Sequence, residues 1–222
     1  MLPRSFVIGD IHGCAATFRR LLENTLRPLP NDHIYLLGDL IDRGPDSKGV
    51  LDYVFELRER GLSVSSVRGN HEEMCLQAAE DHNYYSMWIS NGGQTTLKSF
   101  RADGPGDIPH LYRDFMDSLP LYILLDNFVI VHAGLNFEPL NPFEDTSAML
   151  WSRSTYVDRQ PIGGRRLICG HTPVSRTCLE ESLRCNKIML DNGCVLGGVG
   201  GLGRLAALEL ESMAVYFQEN ID

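Results

Sequence analysis

Residues 6–13 read Phe6-Val7-Ile8-Gly9-Asp10-Ile11-His12-Gly13, three apolar side chains running into a glycine-bounded turn that carries a carboxylate and an imidazole. The design recurs. Ile34-Tyr35-Leu36-Leu37 stops at Gly38-Asp39, and Val64-Ser65-Ser66-Val67 stops at Arg68-Gly69-Asn70-His71. Between these runs Phe18, Leu21, Leu22 and Leu26 fall at helical spacing, and Val50, Leu51, Val54, Phe55 and Leu57 do likewise ahead of Gly61. Strand and helix in alternation predict an α/β fold, with helices packed on a sheet and the polar turns gathered where strands end.

Outward from that core, residues 74–119 read mostly helical, broken at Asn91-Gly92-Gly93 and by the turn-rich 102–107. The polar stretch Asn83 to Asp107 is expected to shape the rim of a cleft. Leu121–Leu125 and Phe128–Val131 read as strands around Asp126-Asn127, the second ending at His132-Ala133-Gly134, and Arg166–Cys169 ends at Gly170-His171-Thr172. The later segments Thr177–Leu179, Lys187–Leu190, Leu205–Leu210 and Met213–Phe217 are expected to be antiparallel strands joined by turns. With no repeat, linker or low-complexity tract, the expectation is one catalytic domain over 1–222 with a helical insert at about 74–119.

The chain has 222 residues and 20 Lys+Arg against 29 Asp+Glu, a formal charge of −9. That balance argues against a general nucleic-acid or anionic-membrane binder, which needs a basic surface. A spanning helix needs roughly 18 uninterrupted apolar residues, and the best stretch, Leu119 to Leu135, contains Asp126, Asn127 and His132. The opening residues Met1-Leu2-Pro3-Arg4-Ser5 pass straight into a strand without the apolar core of a leader, so the expected location is the cytoplasm. Six scattered cysteines without CxxC spacing are expected to be buried free thiols.

Five strand ends carry Asp10 with His12, Asp39, Asn70 with His71, His132, and His171. Oxygen and imidazole donors without thiolate suit hard to borderline divalent ions such as Mn²⁺, Fe²⁺ or Zn²⁺. Six ligand-type residues are too many for one ion. Asp10 and His12, two apart on an extended segment, leave the same face and can share one ion. A second ion can then take Asn70, His132 and His171, with Asp39 bridging. Two divalent ions, two carboxylates and a hydroxide leave a centre of about +1, hospitable to a phosphate dianion. His33, His82 and His110 lie outside these turns and read as surface or structural residues.

Taken together, Gly9-Asp10-Ile11-His12-Gly13, Gly38-Asp39-Leu40-Ile41-Asp42-Arg43-Gly44 and Gly69-Asn70-His71-Glu72 occur in an order and spacing that resembles the PPP-type metallophosphoesterases. His132-Ala133-Gly134 and Gly170-His171-Thr172 are similar to that family's later histidine motifs, and Trp151-Ser152-Arg153 to its second arginine motif. Within the family the chain looks closest to the small bacterial and phage-type serine/threonine protein phosphatases. The resemblance implies a calcineurin-like sandwich of two mixed β-sheets flanked by helices, with a dinuclear site at the strand ends. Asp10, His12 and Asp39 would hold one ion and Asp39, Asn70, His132 and His171 the other, with Mn²⁺ favoured over Fe or Zn. Arg43 and Arg153, with Asn70 and His71 beside them, would bind the phosphate; a planar guanidinium grips two oxygens at once.

The same resemblance makes His71 the proton donor to the leaving oxygen and Asp42 the carboxylate that orients it. Hydrolysis would be one-step, by a metal-bridging hydroxide and without a phosphoenzyme. Cys14 reads as a small residue beside the metal turn rather than as the nucleophile of a cysteine phosphatase. The implied partner is a phosphorylated protein or peptide, with no regulatory subunit. The chain lacks the Ser-Ala-Pro-Asn-Tyr loop of the larger eukaryotic members, so phosphotyrosine joins phosphoserine and phosphothreonine as an expected substrate. Dinucleoside polyphosphate hydrolases share the ligands but typically carry alanine at the position of Asp42, which makes them the alternative. A non-catalytic module of the same fold is a further one, against which the intact His12, Asn70, His71, His132 and His171 stand.

Overall fold

The computed structural model describes residues 3–222; Met1 and Leu2, the first residues of the stretch read as lacking the apolar core of a leader, lie outside the described residues. Strands β1 (Ser5–Ile8), β2 (His33–Leu36) and β3 (Ser63–Ser66) pair in parallel, joined by α1 (Ala15–Arg20), which continues as a π-helical turn to Leu26, and by α2 (Ser47–Glu59). The insert follows as α3 (Asn70–Glu80), α4 (His82–Trp88), α5 (Gln94–Phe100) and α6 (His110–Asp117). Next come β4 (Tyr122–Leu124), β5 (Phe128–Val131), α7 (Thr146–Trp151), β6 (Arg166–Cys169), α8 (Arg176–Ser182), β7 (Lys187–Met189), β8 (Arg204–Glu209) and β9 (Ala214–Glu219). One sheet has the order β3-β2-β1-β8-β9 and the other β4-β5-β6-β7, each mixing parallel and antiparallel pairs.

Side-chain alternation along the strands builds the layers. Phe6 and Ile8 pack with Ile34, Leu36 and the helical residues Phe18, Val50, Leu51 and Val54, while Val7 between them turns the other way. Val7 joins Ile130, Ile168, Ile188, Ala206 and Leu208, residues of both sheets, in the layer between them. Val129, Val131, Leu167 and Cys169 face outward onto Met149 and Ile162. All five polar turns therefore emerge at the carboxyl ends of β1, β2, β3, β5 and β6.

Three expectations need correction. Thr177–Leu179 is not a strand: it lies in α8, whose Ser175 cap accepts from Cys178 N and whose Leu179 and Ser182 are buried. Nor is β7 antiparallel, because α8 is the crossover that lays β7 parallel to β6. The β-branched Thr177 carried too much weight against the helical spacing of the buried pair. The cysteines are all free, but only Cys14, Cys75, Cys169 and Cys194 are buried; Cys178 is half-buried and Cys185 exposed. Among the described residues no helix is long and apolar enough to cross a membrane.

Candidate metal centre

The first two turns are stitched together by main chain: Ile11 N and His12 N both donate to Asp39 O, at 3.2 and 2.8 Å, and Gly13 N donates to Leu40 O at 2.9 Å. His12, Asp39, Asp42, Arg43 and His171 all adopt left-handed backbone, with φ between 48° and 70°. Among the described residues they are five of the eight non-glycine residues that do so, a concentration characteristic of functional turns. On the far side, Gly170 makes room for Asp10, since a Cβ there would meet Asp10 Oδ1 at 1.9 Å.

Asn70 Oδ1 lies 2.9 Å from both His132 Nε2 and His171 Nδ1, and these nitrogens are 3.2 Å apart. Asp39 Oδ1 stands 3.5 Å from His132 Nε2. His132 Nδ1 is matched to Leu37 O at 2.7 Å, which assigns the proton to Nδ1 and leaves Nε2 an acceptor. Acceptors crowded this closely fit a shared cation, and Asp39, His132 and His171 offer ligand atoms within 4.8 Å of one another. On the other side His12 Nδ1 is matched to Ile41 O at 3.0 Å, so its Nε2 faces Asp39 Oδ2 at 3.5 Å. Arg43 Nη1 donates to that Nε2 at 2.8 Å, a positive group resting on a nitrogen suited to a metal. Asp10 accepts from His171 N through Oδ2 at 2.9 Å, and its Oδ1 is buried without a partner.

The donor set thus fits two divalent ions. The second compact grouping of ligand atoms is His12, Asp39 and His71, in which His71 rather than Asp10 makes the third member. His71 Nδ1 is taken by Asp42, however, and its Nε2 stands 4.0 Å from Asp39 Oδ2. Burial holds the His12 and His171 imidazoles down to about 3 and lowers His132 as well, so all three are neutral and able to ligate. Burial works to raise Asp39, yet the neighbouring His132, His71 and His12 outweigh it and keep the carboxylate ionised. Asp10 moves the other way, raised by burial and then by the charges of Asp191 and Asp39.

Beside the cluster, His71 Nδ1 meets Asp42 Oδ2 at 2.7 Å. Asp42 Oδ2 also accepts from Trp88 Nε1 at 2.9 Å, and Oδ1 accepts from Thr96 Oγ1 at 2.6 Å. Burial alone would lower the pKa of His71, but the Asp39 charge and the Asp42 hydrogen bond outweigh it and raise it above the ordinary histidine value. Its Nε2 is buried without a partner. Arg43 is exposed at the turn, fixed through Arg43 N to Gly92 O at 3.2 Å. Arg153 is exposed after α7, its Nη1 reaching Thr172 Oγ1 at 3.3 Å beside His171.

Sequence reasoning passed over four supports. Glu72 accepts from Asp39 N, Leu40 N and Gly69 N at 2.9, 2.7 and 2.8 Å, tying the second turn to the third. Its place three residues after Gly69 at the start of α3 is a capping signature that could have disclosed it. Trp88 and Thr96 come from the insert expected only at a rim, and no local signal marks them. Asp191, buried after β7, adds its charge near Asp10.

The sequence profile of the calcineurin-like phosphoesterases matches residues 3–196. An asymmetrical bis(5'-nucleosyl)-tetraphosphatase, PrpE, of a Geobacillus species is 30% identical over 236 residues, covering 94% of this chain and 92% of its own. Serine/threonine-protein phosphatase 1 of Salmonella typhimurium is 32% identical over 209 residues, covering 90% of this chain and 91% of its own. A solved protein serine/threonine phosphatase from Saccharomyces cerevisiae superposes with a TM-score of 0.68 at 14% identity, over 99% of this chain and 81% of that one, a likeness of fold.

Proposed function

The chain belongs to the calcineurin-like phosphoesterase family, and from that premise we propose that it is a metal-dependent phosphatase acting on phosphoserine and phosphothreonine in proteins. The observation that carries this reading is the buried Asp42–His71 pair. An alkoxide from serine or threonine is a poor leaving group and needs a proton as it departs, whereas a nucleotide leaves from an anhydride as a stabilised phosphate. An imidazole clamped at Nδ1 by a carboxylate, with no hydrogen-bond partner on Nε2, suits the first task.

Asp10, His12 and Asp39 would hold one ion, and Asp39, Asn70, His132 and His171 the other. Bound there, Mn²⁺ would supply Lewis acidity and a water acidified into the neutral range. Arg43 would leave His12 to grip the phosphate, Arg153 would close on it from the opposite side, and Asn70 and His71 would border it. Trp88 and Thr96 keep Asp42 turned toward His71, so the proton donor meets the leaving oxygen in one orientation.

The full-length similarity to a bis(5'-nucleosyl)-tetraphosphatase supports the competing reading, hydrolysis of dinucleoside polyphosphates. Manganese-loaded protein should be assayed in parallel on a phosphoserine peptide, a phosphotyrosine peptide and diadenosine tetraphosphate. The highest kcat/KM is expected on the phosphoserine peptide. Clear preference for the dinucleotide would replace the proposal by the alternative.

A further inference from the structure

Lys187 lies on β7 and is 6% exposed, at a position where a buried strand ordinarily carries an apolar residue. It stands in register with Leu167, a member of the apolar cluster that also contains Val129, Val131 and Cys169. Taking an ammonium out of water is costly, and a well-packed hydrophobic side chain would serve stability as well or better. The lysine is therefore better explained by what its head group holds.

Lys187 Nζ donates to Ala133 O at 2.9 Å and to Ser154 O at 2.8 Å. The first carbonyl follows His132 and the second follows Arg153, so one ammonium joins the segment that delivers an imidazole to that which delivers a guanidinium. These segments also touch directly: a Cβ on Gly134 would lie 3.2 Å from Ser152 Cβ and 3.5 Å from Lys187 Nζ. Residues 152–157 have no regular secondary structure, and Arg153 is exposed. The aim of its side chain thus depends on how the flanking main chain is tied down.

We propose that Lys187 is a positioning residue that fixes the Ser152–Ser154 segment against the end of β5, so that Arg153 is held toward the substrate phosphate. Lys187 acts through Arg153 and touches neither phosphate nor ion. The proposal rests on the reading of Arg153 as a phosphate ligand, though not on which phosphorylated substrate is natural.

The test is a double-mutant cycle on manganese-loaded protein, using p-nitrophenyl phosphate as substrate and inorganic phosphate as competing inhibitor. Arg153→Ala should raise KM and the phosphate inhibition constant about tenfold or more, and Lys187→Met should raise both about three- to tenfold, with metal content unchanged. The double variant should stay within about twofold of Arg153→Ala, because a residue that acts through Arg153 has nothing left to position. Lys187→Arg, which keeps the charged donors, should recover most of the loss. Multiplying effects in the double variant, or a fall in kcat with both constants unchanged, would overturn the proposal. If Arg153→Ala alone left both constants unmoved, the reading of Arg153 itself would fail, a distinct outcome. Should Lys187→Met not fold, Lys187→Gln retains an N–H donor and replaces it; failure of both to fold would assign Lys187 to stability alone and also overturn the proposal.

Discussion

Replacing Asp42 by Asn removes one charge from a fully buried position while keeping the shape of the side chain. The amide oxygen can take the place of Oδ2 and still accept from His71 Nδ1 and Trp88 Nε1. The amide nitrogen then faces Thr96 Oγ1, which can accept as well as donate. What is lost is the charge-assisted part of the His71 contact. A hydrogen bond to a charged group contributes about 1.5–3 kcal/mol and a neutral one about 0.5–1.5, a difference of about 1–1.5 kcal/mol. At 1.36 kcal/mol for each factor of ten, that difference corresponds to about 5–13-fold in the fraction of the reaction that needs a protonated ring. Asp39, 4.0 Å from Nε2, still favours the imidazolium and keeps the loss from being total. The assay compares kcat/KM on a phosphoserine peptide with that on p-nitrophenyl phosphate, whose phenolate leaves with little help from an acid. The peptide reaction should fall about 5–13-fold and the nitrophenyl reaction less than about twofold. Equal losses on the two substrates, at unchanged metal content, would show that the pair acts on the phosphate or the nucleophile, and the reasoning would be refuted.

Chelation should abolish activity and Mn²⁺ should restore it, while Asp39→Asn and His171→Ala should resist restoration; full turnover by metal-free protein would sink the dinuclear reading. Glu72→Gln places an NH₂ group against main-chain donors that need an acceptor, so a loss of about 1–3 kcal/mol in denaturant unfolding and weaker metal binding by titration are expected. At Asp32, burial opposes ionisation, but donors from Leu29 N, Arg4 N and the Arg4 guanidinium outweigh it and lower the pKa. A depressed folded-state pKa contributes stability above the unfolded value, about 3.9, and that contribution is lost as pH falls through the folded value. Asp32→Asn should therefore cost about 1.5–3 kcal/mol at pH 7, with the gap from the parent protein narrowing below about pH 4 in unfolding curves at both pH values.

The strand-end turns were legible because strand, glycine and ligand lie within a few residues of one another. The run Phe6 to Gly13 contains its own explanation, and the structure gathers Asn70, His132 and His171 with Asp39, with His12 also facing Asp39 and Asp10 accepting from His171 N. Trp88 and Thr96 were not legible, because they reach Asp42 across 46 and 54 residues and owe their place to packing of the insert. Lys187 was hidden differently: on a short apolar strand a lysine reads as an exposed position, and only tertiary contacts reveal that its ammonium is buried at this sheet edge and what it holds. The misreading of α8 has a local cause, since a seven-residue helix offers barely two turns of periodicity against one β-branched residue.

The left-handed turns set stability against activity. At His12, Asp39, Asp42, Arg43 and His171 the backbone occupies a region that glycine enters freely and other residues enter at a cost of about 1 kcal/mol or more each. Drift toward relief of backbone strain alone would favour glycine at every one of these positions and would erase the site in doing so. The side chains kept there oppose that drift. Thermostabilised versions of this chain should gain their increments in the helices and outer loops, with these five positions left untouched.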